Sequence, residues 1–257
     1  MAVERDILLL RFDAPLMSFG GPVVDYRGVI DPFPGRSLLA GLCANALGYD
    51  HRDHELTERL QRRLRVASRA DAPGRRLRDY HTVDLGQPHM LAKSVGWTTS
   101  GVVEDRRGGS ASAGTAIRLR DYHADALYTV AVCLADEGER PTLAEVAGAL
   151  RTPARPLFLG RKTCLPGAPL FLAVVRATSP MAALMSWPRV VNDRRVSKQR
   201  QPLSAWWAEE DGEAPVSCAT SRELPVSDVR DWQNQIHTGQ RVIRHGLIDP
   251  PEGKNGT

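Results

Sequence analysis

Apolar residues along the chain fall into short runs whose spacing predicts a mixed sheet-and-helix protein. The run over residues 7–12 is almost wholly apolar and bounded by charges, which is typical of a buried strand. Residues 127–134 are apolar on both faces, so this strand should lie at the centre of a sheet. Further strands are predicted at 65–70, 75–82, 116–122, 156–160 and 170–177.

Helical spacing and capping signals predict four helices. The first has Ser37 as N-cap and Gly48 as its stop. The third opens with a capping box formed by Thr142 and Glu145, and the fourth has Pro180 in its first turn. These helices are predicted at 38–47, 53–64, 142–150 and from 180 onward.

The order of these elements is β-α-β-β-α-β with additional strands, which is the ferredoxin-like order of RRM domains. We therefore predict an α+β protein with an RRM-like domain over residues 1–200. Residues 83–115 are rich in glycine, serine and charge yet contain Trp97, which favours a protruding hairpin inserted into that domain. Residues 201–257 are predicted to form an irregular C-terminal extension that frays at its end.

A basic and aromatic phrase occurs twice in the chain. Residues 76–82 read Arg-Leu-Arg-Asp-Tyr-His-Thr and residues 118–124 read Arg-Leu-Arg-Asp-Tyr-His-Ala. Because a strand alternates its faces, each copy should present its first, third and fifth residues on one side. Those residues are Arg76, Arg78 and Tyr80 in the first copy and Arg118, Arg120 and Tyr122 in the second. Adjacent strands of this kind would form one cationic surface with rings on which RNA bases stack. The alternative is a charged hairpin that only faces solvent.

Positive charge is concentrated rather than abundant. The net charge is +4, but residues 59–78 hold eight arginines and one acid, Asp71, giving that stretch about +7, as in nucleic-acid-binding patches. The chain has no apolar leader and no run long enough to span a membrane, and its four cysteines are widely spaced. These features predict a cytoplasmic protein with reduced thiols.

Two further features predict contacts with phosphate. The start of the first helix offers free amide groups and a positive dipole end at Ser37, with Arg36 beside it. The segment Gly160-Arg161-Lys162-Thr163 resembles a basic glycine loop, but it is not a P-loop because Pro156 and Arg161 stand where that motif needs glycines. The alternatives are an ordinary solvated cap and a surface turn.

A catalytic alternative rests on tyrosines, histidines and a lysine that could cleave RNA without a metal. The candidates are Tyr80, His81, Tyr122, His123 and Lys162. Each tyrosine and its following histidine should face opposite sides of their strand, which favours roles in packing or binding. A metal site near His51 and His54 is not predicted, because the zincin helix needs a second histidine that is absent here. No cofactor is predicted.

Several segments together resemble the Cas-five family of RAMP proteins, in the branch that belongs to type I-E CRISPR Cascade. The likeness runs from about residue 6 to residue 187. Departures are modest: Phe19 stands where the family often has tryptophan, Gly35 replaces a more usual threonine, and His123 interrupts a Tyr-Leu-x-Asp pattern. The segments that carry the resemblance are Ala-Pro-Leu-Met-Ser-Phe-Gly at 14–20, Pro-Phe-Pro-Gly-Arg-Ser at 32–37, Leu-Ala-Gly-Leu at 39–42, Leu-Arg-Asp-Tyr-His-Thr at 77–82, Tyr-His-Ala-Asp-Ala at 122–126 and Pro-Leu-Phe-Leu-Gly-Arg-Lys-Thr-Cys at 156–164.

The resemblance implies a modified RRM fold, the RAMP fold, with a thumb hairpin at 83–115. It implies a non-catalytic subunit that caps the 5′ handle of the CRISPR RNA (crRNA) and contacts the large subunit and the backbone subunits of Cascade. The complex would bring this subunit close to target DNA paired with the guide. Type I-C relatives cleave repeat RNA, so a metal-independent endoribonuclease is the alternative. A structural adaptor for acidic protein partners is a third possibility.

The resemblance also implies roles for the candidate residues. Arg36 and Ser37 would hold a phosphate, and the glycine loop over 160–163 would line the path of the handle. The root of the thumb would contact backbone and bases. Within the arm, Arg106 and Arg107 would reach the guide or its duplex with target DNA, while Trp97 would contact the guide or pack on a partner subunit. The predicted RNA-binding residues are Arg36, Ser37, Arg76, Arg78, Tyr80, Arg106, Arg107, Arg118, Arg120, Gly160, Arg161, Lys162 and Thr163.

Overall fold

The chain forms two compact units in a computed structural model that describes residues 3–22, 26–84, 95–97, 103–105, 115–191, 201–211 and 222–251. The main unit comprises residues 1–22, 30–77 and 122–257, and the inserted unit comprises residues 23–29 and 78–121. The inserted unit therefore contains the arm predicted at 83–115 together with parts of its flanking strands.

The described residues contain four helices and fifteen strands. The helices are α1 (Arg36–Leu47), α2 (His54–Arg63), α3 (Leu143–Arg151) and α4 (Pro180–Ser186), with a 3-10 turn at Glu209–Asp211. The strands are β1 (Arg5–Asp13), β2 (Leu16–Met17), β3 (Arg27–Gly28), β4 (Leu64–Ala72), β5 (Arg75–Asp84), β6 (Val95–Trp97), β7 (Val103–Asp105), β8 (Thr115–Ala124), β9 (Leu127–Leu134), β10 (Phe171–Ala177), β11 (Leu203–Ala208), β12 (Arg222–Val226), β13 (Val229–Asp231), β14 (Ile236–Thr238) and β15 (Arg241–Ile248).

A seven-stranded sheet organises the main unit, in the order β10-β1-β9-β4-β11-β15-β12, and every neighbouring pair is antiparallel. Strand β9 lies between β1 and β4 and is buried at all eight positions, which confirms its predicted central place. The other helices and strands predicted by periodicity are found within a few residues of their expected bounds, apart from the corrections below.

Both faces of this sheet are covered. Along β1, Leu8, Leu10 and Phe12 enter one core with residues of α1, α2 and α3. The alternate residues Ile7 and Leu9 enter a second core with α4. The alternation follows from the two-residue period of a strand, and it explains why β1 and β9 read as continuous apolar runs.

The predicted irregular C-terminal extension is wrong. Strands β11, β15 and β12 extend the main sheet beyond β4. Trp206 faces the first core and Trp207 faces the second, so adjacent tryptophans mark a strand that is buried on both sides. Residues 201–208 had too short an apolar run to be identified as a strand from periodicity alone.

Two local predictions are also wrong. Residues 156–160 form no strand; this segment is a loop, and the Ser18 N–H donates to its Leu159 carbonyl at 3.0 Å. Helix α1 begins at Arg36 and its N-cap is Gly35, whereas the prediction placed the N-cap at Ser37 and the start at residue 38. By contrast, the Gly48 stop and the capping box of Thr142 and Glu145 are confirmed.

The inserted unit contains β3, the short antiparallel pair β6–β7 and parts of β5 and β8. Strand β8 pairs with β5 and, in parallel, with β3. The remainder of the predicted arm, including Arg106 and Arg107, lies outside the described residues.

No helix among the described residues is long and apolar enough to cross a membrane. Cys43, Cys133 and Cys164 are buried free thiols, as expected for reduced cysteines, while Cys218 lies outside the described residues.

A buried ion cluster joins the start of α1 to the C-terminal strands. The Asp228 carboxylate accepts the Arg36 N–H at 2.8 Å and two bonds from the Arg241 guanidinium, at 2.6 and 2.7 Å. Arg36 in turn pairs with Glu210 and Asp211. Burial alone would raise the pKa of Asp228, but the bonds and charges of Arg241 and Arg36 outweigh it, so its pKa lies below the ordinary value.

The pKa of the Asp31 carboxyl shifts in the opposite direction to that of Asp228. Burial, and secondarily the negative charge of Asp228, raises its pKa to about 6. A carboxyl whose pKa is higher in the folded state binds its proton more tightly there. It therefore contributes stability below its unfolded pKa that is lost as the pH rises through the folded value.

We predict that Asp31→Asn will stabilise the protein at neutral pH. The wild type should lose about 1–3 kcal/mol of unfolding free energy relative to the variant between pH 4 and pH 7, after allowance for partial solvent exposure. Urea unfolding across that range tests this, with Asp6→Asn on the exposed start of β1 as control. Parallel pH profiles for wild type and Asp31→Asn would contradict the assignment.

Candidate nucleic-acid interface

The predicted glycine loop is a tight turn that only glycine can begin. Gly160 has a φ of +109°, and a Cβ at this position would lie 1.9 Å from the Ser18 carbonyl oxygen. The positive φ and the close approach of two backbones both exclude a side chain. This contact holds the loop against the turn that follows β2.

The same loop presents its central residues outward. The Leu159 N–H donates to the Cys164 carbonyl and the Cys164 N–H donates to the Arg161 carbonyl, both at 2.8 Å. Lys162 and Thr163 are exposed between these bonds. The turn therefore offers an ammonium and a hydroxyl to solvent from a fixed backbone.

Arg161 lies over an aromatic ring. Its guanidinium carbon is 4.8 Å from the centroid of Tyr122, and Tyr122 is buried within the first core. The prediction that Tyr122 belongs to an outward-facing surface is therefore wrong, because Arg161 and the core cover this ring. In this position, Arg161 anchors the loop by a cation–π contact.

The helix start predicted to bind phosphate is already occupied. The Arg36 N–H donates to the Asp228 carboxylate and the Ser37 N–H donates to the Asp228 carbonyl, each at 2.8 Å. Arg36 itself is 7% exposed and is paired with two carboxylates. Asp228 thus takes the place predicted for a phosphate, and the prediction for Arg36 and Ser37 is not supported.

In the inserted unit, the two arginine copies do not form one surface. Arg78 donates to the Asp121 carboxylate at 2.8 Å, so these side chains lie on the same face of the β5–β8 pair. Because side chains alternate along a strand, Arg118 and Arg120 lie on the opposite face from Arg78 and Tyr80. The predicted single cationic surface is therefore two surfaces, separated by the thickness of a sheet.

We call the first surface the Tyr80 face. It carries Arg78 and Tyr80, and Tyr80 is 58% exposed. Strand β3 adds Arg27 to this face, because Arg27 is the partner of Leu119, which shares the face of Asp121. The Arg27 guanidinium lies 5.4 Å from the ring centroid of Tyr26. Tyr26 and Arg27 are not among the residues predicted above, although an adjacent tyrosine and arginine combine an aromatic ring with a cation, the pairing that single-stranded nucleic acid favours.

The second surface, the Arg120 face, carries Arg118 and Arg120, both exposed. The Nε2 atom of His81 lies 2.5 Å from a carboxylate oxygen of Asp79, and His81 is less exposed than Tyr80.

Arg76 belongs to the main unit. It is exposed, and its charge contributes to lowering the pKa of His123.

The histidine of the second copy has a packing role. The His123 ring lies 5.1 Å from that of Phe19, and its Nε2 lies 2.8 Å from the Asp31 carbonyl. Burial lowers its pKa, the bond to that carbonyl opposes the shift, and the charge of Arg76 adds to it. A neutral, packed imidazole fits the interpretation that the histidines serve packing or binding.

Comparison with known proteins identifies the family. Residues 7–244 match the family described as CRISPR-associated protein (Cas_Cas5). The chain belongs to this family. The resemblance inferred from its motifs is thereby confirmed.

Individual relatives agree with the family assignment. The chain is 32% identical over 197 residues to the CRISPR system Cascade subunit CasD of Escherichia coli (strain K12), covering 74% of this chain and 80% of that protein. Among solved structures, a chain of a CRISPR RNA-guided surveillance complex aligns with a TM-score of 0.61 and 25% identity over 95% of this chain and 91% of that chain. A crystal structure of a Cas protein gives the same TM-score and identity over 96% and 98%.

We predict that Gly160→Ala will destabilise the protein by more than about 2 kcal/mol, because the clash with Ser18 adds to the backbone strain of a positive φ. Gly138→Ala is the control, since a Cβ there meets no atom within 4 Å. Thermal and urea unfolding of both variants measure the difference. Equal stabilities would show that the loop is not held against Ser18.

Proposed function

We propose that the chain is a crRNA-binding subunit of a type I-E CRISPR Cascade surveillance complex and that it caps the 5′ handle of the guide. The observation that carries this proposal is the family match over residues 7–244, joined to 32% identity with a Cascade subunit. The subunit acts in antiviral defence by supporting guide-directed binding of foreign DNA. Its partners are the large subunit and the backbone subunits of that complex.

The topology of the main sheet supports an RRM-like RAMP fold. Strands β1, β4, β9 and β10 correspond to four of the strands predicted from periodicity, and they are adjacent in the order β10-β1-β9-β4. Helices α1 and α2 lie in the connection from β1 to β4, and α3 lies in the connection from β9 to β10. This is the β-α-β-β-α-β arrangement with α2 as an additional helix, and all three helices contribute residues to the same core.

In the main unit, the loop at 160–163 is the surface that we assign to the handle backbone. Lys162 supplies a cation and Thr163 a hydroxyl, while Gly160 and Arg161 fix the backbone that presents them. A compact ammonium on a rigid turn suits a phosphate oxygen. The loop lacks the glycines of a P-loop, so we assign it phosphate binding without any role in nucleotide hydrolysis.

In the inserted unit, we assign RNA bases to the Tyr80 face. Recognition of a single strand combines cations for the backbone with aromatic rings for stacking, and this face has both in Arg27, Arg78 and Tyr80. The charge of Arg78 is partly matched by Asp121, so stacking on Tyr80 should contribute more than Arg78 does. We assign the Arg120 face to phosphate contacts that do not involve stacking.

A non-catalytic role fits the candidate nuclease residues better than cleavage does. His123 is packed against Phe19 and bonded to a backbone carbonyl. Tyr80 and His81 point to opposite faces of β5, so they cannot act together on one phosphate. The alternative is a metal-independent endoribonuclease like that of type I-C relatives. It would need Lys162 or His81 to act without help from Tyr80 or His123.

We predict that Tyr80→Ala will weaken binding to RNA carrying the 5′ handle by roughly 5- to 150-fold, because one base–ring stack contributes about 1–3 kcal/mol. Lys162→Ala should weaken binding less and reduce the slope of log K against log salt by about 0.7 to 1, the loss of one phosphate contact. Fluorescence anisotropy with the full chain measures both quantities.

Matched controls separate the two faces from general effects of charge. Arg176→Ala removes an exposed arginine that pairs with Asp6 on β1, and it should leave binding unchanged. Arg120→Ala should change the salt slope without the large loss expected for Tyr80→Ala. If Arg120→Ala causes the larger loss and Tyr80→Ala none, the assignment of bases to the Tyr80 face is wrong.

We predict that repeat RNA will be bound but not cut. The wild-type protein is incubated with end-labelled repeat RNA in EDTA, and the sample is run on native and denaturing gels. A shifted, intact RNA is the expected result. A discrete 5′ fragment that disappears in Lys162→Ala or His81→Ala would establish the nuclease instead.

A further inference from the structure

Four arginines of the basic run at 59–78 line a cleft in the main unit, and the described lining includes no residue of the glycine loop. The cleft has a volume of about 290 Å³ and lies where α2 ends and β4 begins, beside the connection from β9 to α3. Its lining residues are Arg59, Arg62, Arg63, Arg65, Ala135, Asp136 and Glu139. Apart from Ala135, every lining residue is charged.

The floor of the cleft is a cation whose position is fixed. Arg63 is 4% exposed, and its guanidinium donates to four backbone carbonyls, those of Ala135, Asp136, Glu139 and Pro141. Carbonyl oxygens satisfy its N–H groups without cancelling its charge. The nearest carboxylate oxygen, on Glu139, lies 3.6 Å from Nε. The structure therefore holds a positive charge at the base of an open cleft.

The carboxylates nearby are too few to neutralise this set. Glu139 is shared between Arg59, at 2.6 Å, and Arg63. Arg65 lies 3.8 Å from Asp211, but Asp211 is already paired with Arg36 and Arg241. Four arginines against Glu139 and Asp136 leave the lining with a net charge of about +2. Arg62 is exposed among these residues.

We propose that this cleft binds a phosphate group of a nucleic-acid backbone, as a second site separate from the RNA surfaces assigned above. The planar guanidinium group of arginine can donate paired hydrogen bonds to phosphate oxygens, so a cleft lined by guanidinium groups suits a phosphate. Among the described residues, the lining has no aromatic ring and Ala135 is its one apolar residue, so it does not suit a base; the ligand is a phosphate whose affinity comes from the charge of its chain. This inference does not depend on the identity of the guide.

A structural explanation of the same arginines has a different consequence. Arg62 and Arg63 lie in the last turn of α2, where cations interact favourably with the helix dipole. If that were their whole role, substitutions in the cleft would alter stability and leave nucleic-acid binding unchanged. A carboxylate that competes with phosphate provides the sharper test, because its removal should increase binding.

The test uses two substitutions of opposite expected effect in the full chain. Arg62→Ala removes an exposed cation and should weaken binding about 3- to 10-fold, with a salt slope smaller by about 1. Glu139→Gln removes the carboxylate that competes for Arg59 and keeps the backbone carbonyl that Arg63 needs, so binding should tighten by a similar factor. The probes are a fluorescein-labelled single-stranded RNA and a labelled duplex DNA, titrated at about 50 and 200 mM salt.

Charge-matched controls keep the result specific to the cleft. Arg52→Ala removes an exposed arginine that pairs with Asp50, and Glu55→Gln neutralises a carboxylate in the first turn of α2. Both should leave affinity within about twofold of wild type. Circular dichroism and urea unfolding of each variant verify that the fold is kept.

Each outcome decides the question. A loss with Arg62→Ala and a gain with Glu139→Gln establish the site, and the probe that responds identifies whether RNA, duplex DNA or both supply the phosphate. No change for either substitution on both probes overturns the site. Because Lys162 and Tyr80 lie outside the cleft, failure here leaves the proposed guide-binding role intact, and failure of those variants leaves the cleft intact.

Discussion

Asp228 is the residue on which the arrangement of the main unit depends. Its carboxylate and its carbonyl receive the first two amides of α1, and the same carboxylate receives two bonds from Arg241 at the start of β15. A Cβ on Gly35 would lie 2.9 Å from the Asp228 Cβ, so the helix start fits closely only because residue 35 is glycine. The anion satisfies the helix dipole from within the chain and thereby connects the C-terminal strands to the first helix.

This internal anion changes what the rest of the surface can do. The first two amides of α1 are already bonded to Asp228, so they are not available to a phosphate, and the proposed RNA site relies on side chains elsewhere. The glycine loop, to which we assign the handle backbone, presents such side chains. Its backbone is fixed by the contact of Gly160 with Ser18 and by Arg161 on Tyr122, which leaves Lys162 exposed on a rigid turn. Because the loop backbone is already fixed, binding a ligand costs less conformational entropy of the loop.

The sequence predicted the elements whose signals are local. The two-residue and 3.6-residue periods, the Gly48 stop and the capping box at Thr142 each depend on neighbours in the chain, and the structure confirms them. What failed depended on distant residues. The helix start was misread because its partner, Asp228, is 192 positions away from Arg36. The face of each repeat was misread because the pairing of Arg78 with Asp121, not the alternation itself, sets which residues lie together.

The arginine-rich run shows why local charge is a poor measure of a binding surface. Arg69 is fully buried, paired with Asp71 and bonded to the carbonyls of Leu184, Trp187 and Pro188, so it holds the chain after α4 in place. Arg63 is equally committed to carbonyls, but it lies beneath an open cleft and its charge still reaches solvent. Burial with a carboxylate removes a cation from the surface field, whereas burial among carbonyls preserves it. Within one run, the partner of each arginine therefore determines whether its charge is neutralised within the fold or remains available at the surface.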